Sequence, residues 1–124
     1  MRAVSCGRTL DENFEFNIYY APVSRSSREH KYIGIYKDKC IRGIGEIENI
    51  IHADLIEGEL QVKESTKHIT DDQKQRIMRV IPHAKESYGW NIANDHKFFI
   101  VKKYYPTEFK RTTKGPLRLA KYLN

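Results

Sequence analysis

The stretch that most constrains the fold runs from Lys31 to Ile51, where two apolar runs flank a short charged segment. In the first run isoleucine stands at every second position, and in the second Ile41 and Ile47 share one parity. A period of two is typical of a strand with one buried face. The segment therefore predicts a β-hairpin that turns at Lys37-Asp38-Lys39.

Three glycines, Gly34, Gly43 and Gly45, lie inside these two predicted strands. Glycine in a strand gives up side-chain packing, so it commonly marks a bend, a bulge or the close approach of another group. Such positions favour a curved sheet that closes into a small barrel. An ordinary hairpin on an open sheet is the alternative.

The remaining elements are predicted from the periodicity of apolar residues and from residues that typically begin or end a helix or strand. Thr70-Asp71-Asp72-Gln73 has the pattern of a helix capping box, and Pro82 predicts the end of that helix near Val80 or Ile81, with a turn or short helix through Tyr88. The predicted elements besides the hairpin are strands at 14–23, 60–64, 96–104 and 116–123, a helix at 70–81 and a basic loop at 107–115. The predicted class is α+β, a small curved or closed, mostly antiparallel β-barrel with one main helix and short flanking helices.

A chain of 124 residues is long enough for one domain. We expect a flexible N-terminal segment at 1–13 and a single domain at 14–124. The sequence holds no apolar run long enough to cross a bilayer and no pattern of a signal peptide, so we expect no membrane partner and a cytoplasmic location. Two cysteines, Cys6 and Cys40, do not make a disulfide framework.

The net charge of +6 is concentrated at one end of the chain. Up to Asp95 there are 14 Lys and Arg against 15 Asp and Glu, whereas from His96 onward there are 8 against Glu108 alone. The same segment carries six aromatic residues. Cations neutralise phosphates and flat rings stack on bases, so the pattern favours binding of RNA or DNA.

The predicted nucleic-acid contacts come from this late segment, from the end of the first strand and the basic loop after it, and from the loop that follows Gly89. An aromatic exit from the first strand precedes a basic loop, and the lone tryptophan follows Gly89. A lone tryptophan in a small domain usually contributes buried area, so we expect Trp90 to fill the core, with a stacking platform as the alternative. The predicted binding residues are Tyr20, Arg25, Arg28, Trp90, Lys102, Lys103, Tyr105, Lys110, Arg111, Lys114 and Arg118.

Catalytic motifs are the natural rival to a binding surface. Five histidines show no zinc-ligand spacing, and neither a nucleophile elbow nor a phosphate-binding glycine loop is present, so the sequence predicts no metal and no cofactor. Asp54 and Lys63 resemble part of a metal-dependent nuclease site, but Gln61 stands where a second carboxylate is needed. A small toxin-like ribonuclease that uses His96, or a protein-interaction module, remains the alternative.

The order of these segments resembles a known superfamily. KYIGIYKDKCIRGIGEI, then GW at 89–90, HKFFIV and YYPTEFKRTTKGPLRLAKYL together are similar to the PUA-like superfamily, which includes the ASCH and EVE domains. The resemblance covers most of residues 14–123. It implies a compact, curved β-barrel flanked by short helices that binds RNA or DNA, in some members by accepting a modified base in a pocket. It implies no catalytic residue.

Overall fold

Six strands and two helices cover most of the residues that the computed structural model describes, which are 2–23, 31–38 and 40–110. In chain order the elements are β1 (Arg2–Ser5), α1 (Leu10–Phe16), β2 (Ile18–Pro22), β3 (Tyr32–Lys37), β4 (Cys40–Ile56), β5 (Glu59–Ser65), α2 (Asp71–Tyr88) and β6 (His96–Lys110). Two of the strand pairs, β3 with β4 and β4 with β5, join strands that follow one another in the chain, and α2 packs against the sheet.

The strands form one sheet in the order β1-β3-β4-β6-β2, and β5 pairs with β4 beside this path. All of the pairs are antiparallel except β1 with β3. The α+β class and the mostly antiparallel sheet are therefore confirmed. The closed barrel is wrong, because β1 and β2 end the sheet without pairing with each other.

The predicted hairpin is confirmed as β3 and β4, which pair from Tyr32 opposite Glu46 to Lys37 opposite Cys40. Gly43 and Gly45 lie where other side chains come too close to β4 to leave room for a Cβ atom. A Cβ on Gly43 would lie 2.8 Å from the Phe14 ring, and a Cβ on Gly45 would lie 2.2 Å from a methyl carbon of Val101. Register shifts between β4 and β6 occur at these same positions, so the sheet bends where the side chains are missing.

The strand predicted at 14–23 begins only at Ile18, because residues 10–16 form α1 instead. Asn17 ends this helix with a φ of +50°, a conformation that asparagine tolerates better than most residues. The side-chain NH₂ group of the buried Asn13 then donates to the Ile18 carbonyl over 2.9 Å. Residues before Phe14, where we expected a flexible segment, provide β1 and part of α1, and Val4 and Cys6 are buried.

The helix predicted at 70–81 begins as expected. The Thr70 hydroxyl accepts from the Gln73 amide over 3.1 Å, and the Gln73 side chain accepts from the Thr70 amide. The predicted end is wrong, because α2 continues past Pro82 to Tyr88 and is capped by Gly89 at a φ of +72°. Ala84, two residues beyond the proline and one turn after Val80 on the same face, is fully buried in the cluster with the sheet residues. This packing offsets the hydrogen bond that Pro82 lacks.

The core lies on both faces of the sheet. One buried cluster includes Ile77 and Val80 of α2 with Ile51 and Phe98 below them. The other, on the opposite face, includes Val4, Ile33, Ile35, Phe99 and Val101. Among the described residues, neither helix combines the length and the apolar character needed to cross a membrane.

The late strand is longer than predicted. It starts at His96 as expected, but it runs to Lys110 rather than to Tyr104, so the first part of the predicted loop at 107–115 is strand. Pro106 fits there because β2 pairs with β6 only as far as Ile100, which leaves β4 as the partner of β6 in the described chain around the proline. The strand predicted at 116–123 and the predicted loop at 24–30 lie outside the described residues.

Candidate nucleic-acid interface

A cleft of about 630 Å³ is lined by residues that follow β1 and by residues of β2, the two strands at the ends of the path β1-β3-β4-β6-β2. One wall comes from the turn after β1 and the other from β2, while the segment after α2 and the start of β6 complete it. The failure of β1 and β2 to pair therefore creates the cleft. Its lining residues are Cys6, Gly7, Thr9, Tyr19, Tyr20, Ala21, Pro22, Gly89, Trp90, Asn91, Ile92 and His96.

Trp90 presents an aromatic surface at this cleft. The side chain is 38% exposed, so the expectation that it fills the core is wrong. The turn at Gly89 carries it off the end of α2, and the Tyr88 ring supports it at a centroid distance of 5.0 Å. The Arg8 guanidinium lies 5.4 Å from the Tyr88 ring centre and 6.0 Å from that of Trp90. A cation and an exposed indole thus lie side by side at the cleft.

Tyr20 also lines the cleft and is held by a buried carboxylate. Its hydroxyl donates to Glu12 Oε1 over 2.5 Å. The Glu12 side chain is fully buried, and Oε2 contacts His83 Nδ1 at 2.5 Å. The His83 ring in turn packs edge-on against Tyr88, 6.3 Å away. Glu12 and His83 therefore connect Tyr20 to Tyr88, the ring that supports Trp90, through one set of contacts.

Polar groups at the cleft supply hydrogen-bonding capacity. His96 Nδ1 lies 2.7 Å from the Asn94 carbonyl oxygen. A carbonyl only accepts, so this nitrogen carries the proton, and Nε2 is an acceptor in the neutral ring. The Asn91 carboxamide oxygen accepts from the Ala93 amide over 3.1 Å, which leaves its NH₂ group as the donor. The cleft therefore offers both a donor and an acceptor beside its aromatic rings.

Neither of two nucleophilic groups at the cleft is activated. Burial raises the pKa of the Cys6 thiol, which points to the Tyr36 carbonyl at 3.3 Å. Burial, followed by the hydrogen bond to Glu12, raises the pKa of the Tyr20 hydroxyl. Both groups stay protonated at neutral pH, and a nucleophilic cysteine or tyrosine needs the opposite shift. The arrangement suits recognition of a ligand better than covalent catalysis.

Comparison with family models, with curated proteins and with solved structures finds no match for this chain. No family is assigned. The likeness to the PUA-like superfamily therefore rests on the order of the sequence segments alone.

The structure divides the predicted binding residues into two groups. Tyr20 and Trp90, which are 70 positions apart in the sequence, come together at the cleft. The second group lies farther along β6, where Lys102 and Lys103 are exposed and the Lys103 ammonium lies 5.8 Å from the centre of the Tyr105 ring. Tyr105 is 63% exposed. This group does not line the cleft, since six residues of extended strand separate Lys102 from His96 by about 20 Å.

The other predicted residues have no described side chain. Lys110 ends β6 with its backbone opposite Cys40. The remaining predicted residues, which are Arg25, Arg28, Arg111, Lys114 and Arg118, lie outside the described residues.

Sequence reasoning missed several residues that contact the aromatic rings at the cleft. Arg8, Glu12 and the Tyr88 ring were not predicted to take part, and His83 was noticed only as an isolated histidine. The useful signal was in the segment before Phe14, where Asp11 and Glu12 fit the first turn of a helix that ends at Asn17. No periodicity in the sequence, however, pairs Glu12 with a histidine 71 positions away.

Proposed function

We propose that this protein is a nucleic-acid-binding domain that accepts one unstacked base of RNA or DNA in the cleft between Tyr20 and Trp90. The observation that carries the proposal is the exposed indole of Trp90 at a cleft of about 630 Å³. Small-molecule sites commonly have volumes of about 300 to 1,000 Å³, so a single base with its sugar fits this class. A stacked base gains roughly 1 to 3 kcal/mol from an aromatic side chain.

The cation beside Trp90 supports a ligand that carries negative charge. Arg8 is exposed and lies within 6.0 Å of the indole. Arginine combines stacking on a ring with hydrogen bonds to phosphate oxygens, so this position suits the phosphate next to the stacked base. The donor of Asn91 and the acceptor of His96 are available for the edge of the base.

The basic end of the chain provides the second support. The whole positive excess follows Asp95, and Lys102, Lys103 and Tyr105 repeat the combination of cations with an aromatic ring. We propose that these side chains contact the strand on one side of the base that enters the cleft. Phosphate contacts of this kind add affinity with little dependence on sequence, and salt weakens them.

The finer proposal concerns the fold family. A cleft that takes a base at the open side of a curved antiparallel sheet accords with the resemblance to PUA-like domains, some of which accept a modified base. We propose that the chain is a divergent domain of this kind, in which an open sheet replaces the closed barrel.

Trp90→Ala is expected to weaken binding of a single-stranded oligonucleotide about 5- to 150-fold, because the stacking surface is lost. Affinity is measured for single-stranded RNA, single-stranded DNA and duplex DNA at several salt concentrations. Ile56→Ala is the matched control, since Ile56 is 49% exposed and lies outside the cleft lining. We expect that control to bind like the wild type.

Two outcomes of the same experiment contradict the proposal. If the Trp90→Ala protein binds as tightly as the wild type, the base does not stack on Trp90. The Tyr105→Ala variant then tests whether the second group of predicted residues, on β6, binds it instead. Affinity that does not fall with salt for any polymer removes nucleic acid as the partner and favours an interaction module instead.

A ribonuclease is the second candidate, because His96 and Tyr20 share the cleft with ring centroids 6.4 Å apart. A histidine can move protons during cleavage of RNA. Prolonged incubation with RNA decides between the two functions. Intact RNA supports binding alone, whereas cleavage that His96→Ala abolishes supports the enzyme.

A further inference from the structure

A separate cluster of potential metal ligands lies on the sheet outside the cleft lining. Ligand atoms of His52, Asp54 and Asp95 all lie within 4.8 Å of one another. His52 and Asp54 are two positions apart on β4 and so share a face of the sheet. Asp95 immediately precedes β6, whose first residue pairs with Ala53. The β4–β6 register therefore brings the third side chain to the other two.

Hydrogen bonds fix the turn that presents Asp95. The Asp95 amide donates to Asp54 Oδ1 over 3.0 Å, and the Asp95 carbonyl accepts from the Val23 amide over 2.9 Å. The Ala93 carbonyl accepts from the Leu55 amide over 2.8 Å. Asp95 itself has a φ of +55°, a conformation that these contacts maintain. The backbone hydrogen bonds of this turn thus hold the Asp95 carboxylate near Asp54.

The His52 ring carries an unsatisfied atom. Its Nε2 is buried and has no hydrogen-bond partner among the described residues. Leaving a buried polar atom without a partner is costly, and native structures rarely do so unless water or an ion completes the site. An imidazole nitrogen beside two carboxylates is a good ligand for a divalent cation.

The balance of charges at the cluster also favours the binding of a cation. Asp54 is buried, and its Oδ1 accepts a hydrogen bond from the Asp95 amide. The Lys63 ammonium lies 3.0 Å from Asp54 Oδ2, and its side chain is 51% exposed. One lysine balances one of the two carboxylates. Each Asp54 oxygen has a second lone pair for a metal.

We propose that His52, Asp54 and Asp95 bind one divalent first-row transition cation of the Mn²⁺ or Zn²⁺ kind. One imidazole and two carboxylates match the ligand preferences of these ions better than those of Mg²⁺ or Ca²⁺. Three protein ligands leave positions open for water or for an oxygen of another molecule. A metal-dependent nuclease site needs a second carboxylate where this chain has Gln61. In this proposal Asp95 supplies that carboxylate to the site of Asp54, and His52 adds an imidazole ligand.

The test is a titration of chelator-treated protein with Mn²⁺, followed by electron paramagnetic resonance, and with Zn²⁺, followed by calorimetry. We expect one saturable site per chain, with the His52 imidazole signal in the NMR spectrum broadened by Mn²⁺. Asp95→Asn is the decisive variant. Asp95 is exposed, and asparagine tolerates its positive φ, so the fold is preserved while one charged ligand is lost.

Asp95→Asn is expected to weaken Mn²⁺ binding at least about tenfold, and His52→Gln is expected to abolish the site. His68→Asn is the matched control, since His68 is exposed and outside the cluster. Absence of saturable binding of either ion overturns the proposal. So does an Asp95→Asn protein that binds like the wild type, or a His68→Asn protein that loses the site.

Discussion

Gly45→Ala is expected to lower the free energy of unfolding by about 2 to 3 kcal/mol, although alanine is ordinarily the better residue in a strand. The added Cβ would lie 2.2 Å from Val101 Cγ1 and 3.0 Å from the Lys103 carbonyl oxygen. Val101 is fully buried and β-branched, which restricts its side-chain torsion, so its methyl group moves aside only at a cost in packing. The backbones of β4 and β6 must separate at the point where the sheet bends.

Urea denaturation measures this change, with Gly58→Asn as the control. Gly58 has a φ of +80° in the turn between β4 and β5, a Cβ at this position would meet no heavy atom within 4 Å, and asparagine tolerates positive φ. We expect that variant to lose less than about 1 kcal/mol. A Gly45→Ala protein as stable as the wild type contradicts the close approach of β4 to β6.

Glu12→Ala is expected to cost about 2 to 4 kcal/mol, because it leaves the Tyr20 hydroxyl and His83 without their shared partner. The Glu12 side chain is fully buried, so water cannot replace it without opening the structure. Tyr20 and His83 are themselves only partly buried, which keeps the cost below that of a fully enclosed ion pair. Loss of Glu12 also releases the Tyr20 wall, so binding in the cleft is expected to weaken.

Glu15→Ala separates this effect from a simple loss of charge on α1. Glu15 lies three residues after Glu12 on the same helix, is 62% exposed and is 3.8 Å from His83 Nε2. An exposed pair of this kind contributes little, so its removal is expected to change stability by less than about 1 kcal/mol. Equal losses for Glu12→Ala and Glu15→Ala in thermal and urea denaturation contradict the role given to the buried carboxylate.

Local chemistry made much of the fold predictable. The hairpin follows from alternating isoleucines and a charged turn, and the start of α2 follows from hydrogen bonds between Thr70 and Gln73, which are three residues apart. These signals need no knowledge of the rest of the chain. The same holds for β5, which begins one residue before the predicted strand and ends one residue after it.

The errors in the fold arise where distant packing decides the local structure. Alternation at Phe14, Glu15 and Phe16 suggested a strand, but the buried Asn13 and the left-handed Asn17 end a helix there. Pro82 suggested a helix end, but burial of Ala84 against the sheet extends α2 to Tyr88. In both cases a contact with the sheet outweighs the local preference.

The site was only half predictable for the same reason. Tyr20 was predicted as an aromatic residue before a basic loop and Trp90 as the lone tryptophan after Gly89, and the cations Lys102 and Lys103 were predicted from the charge of the late segment. Which of these share a surface depends on the register of β2 with β6 and on the open edges of the sheet. The joining of Glu12 to His83, and of Asp95 to His52, spans more than 40 residues in each case. Composition carries no information about such pairs.

The most direct measurement of the central claim uses the fluorescence of Trp90, the only tryptophan in the chain. The protein is titrated with a single-stranded oligonucleotide and, in parallel, with the same strand carrying one abasic position at the centre of a minimal site. Stacking of a base on the indole predicts saturable quenching of the emission with the intact strand and much less with the abasic one. Binding that is detected by another method but leaves the emission of Trp90 unchanged contradicts a base in the cleft.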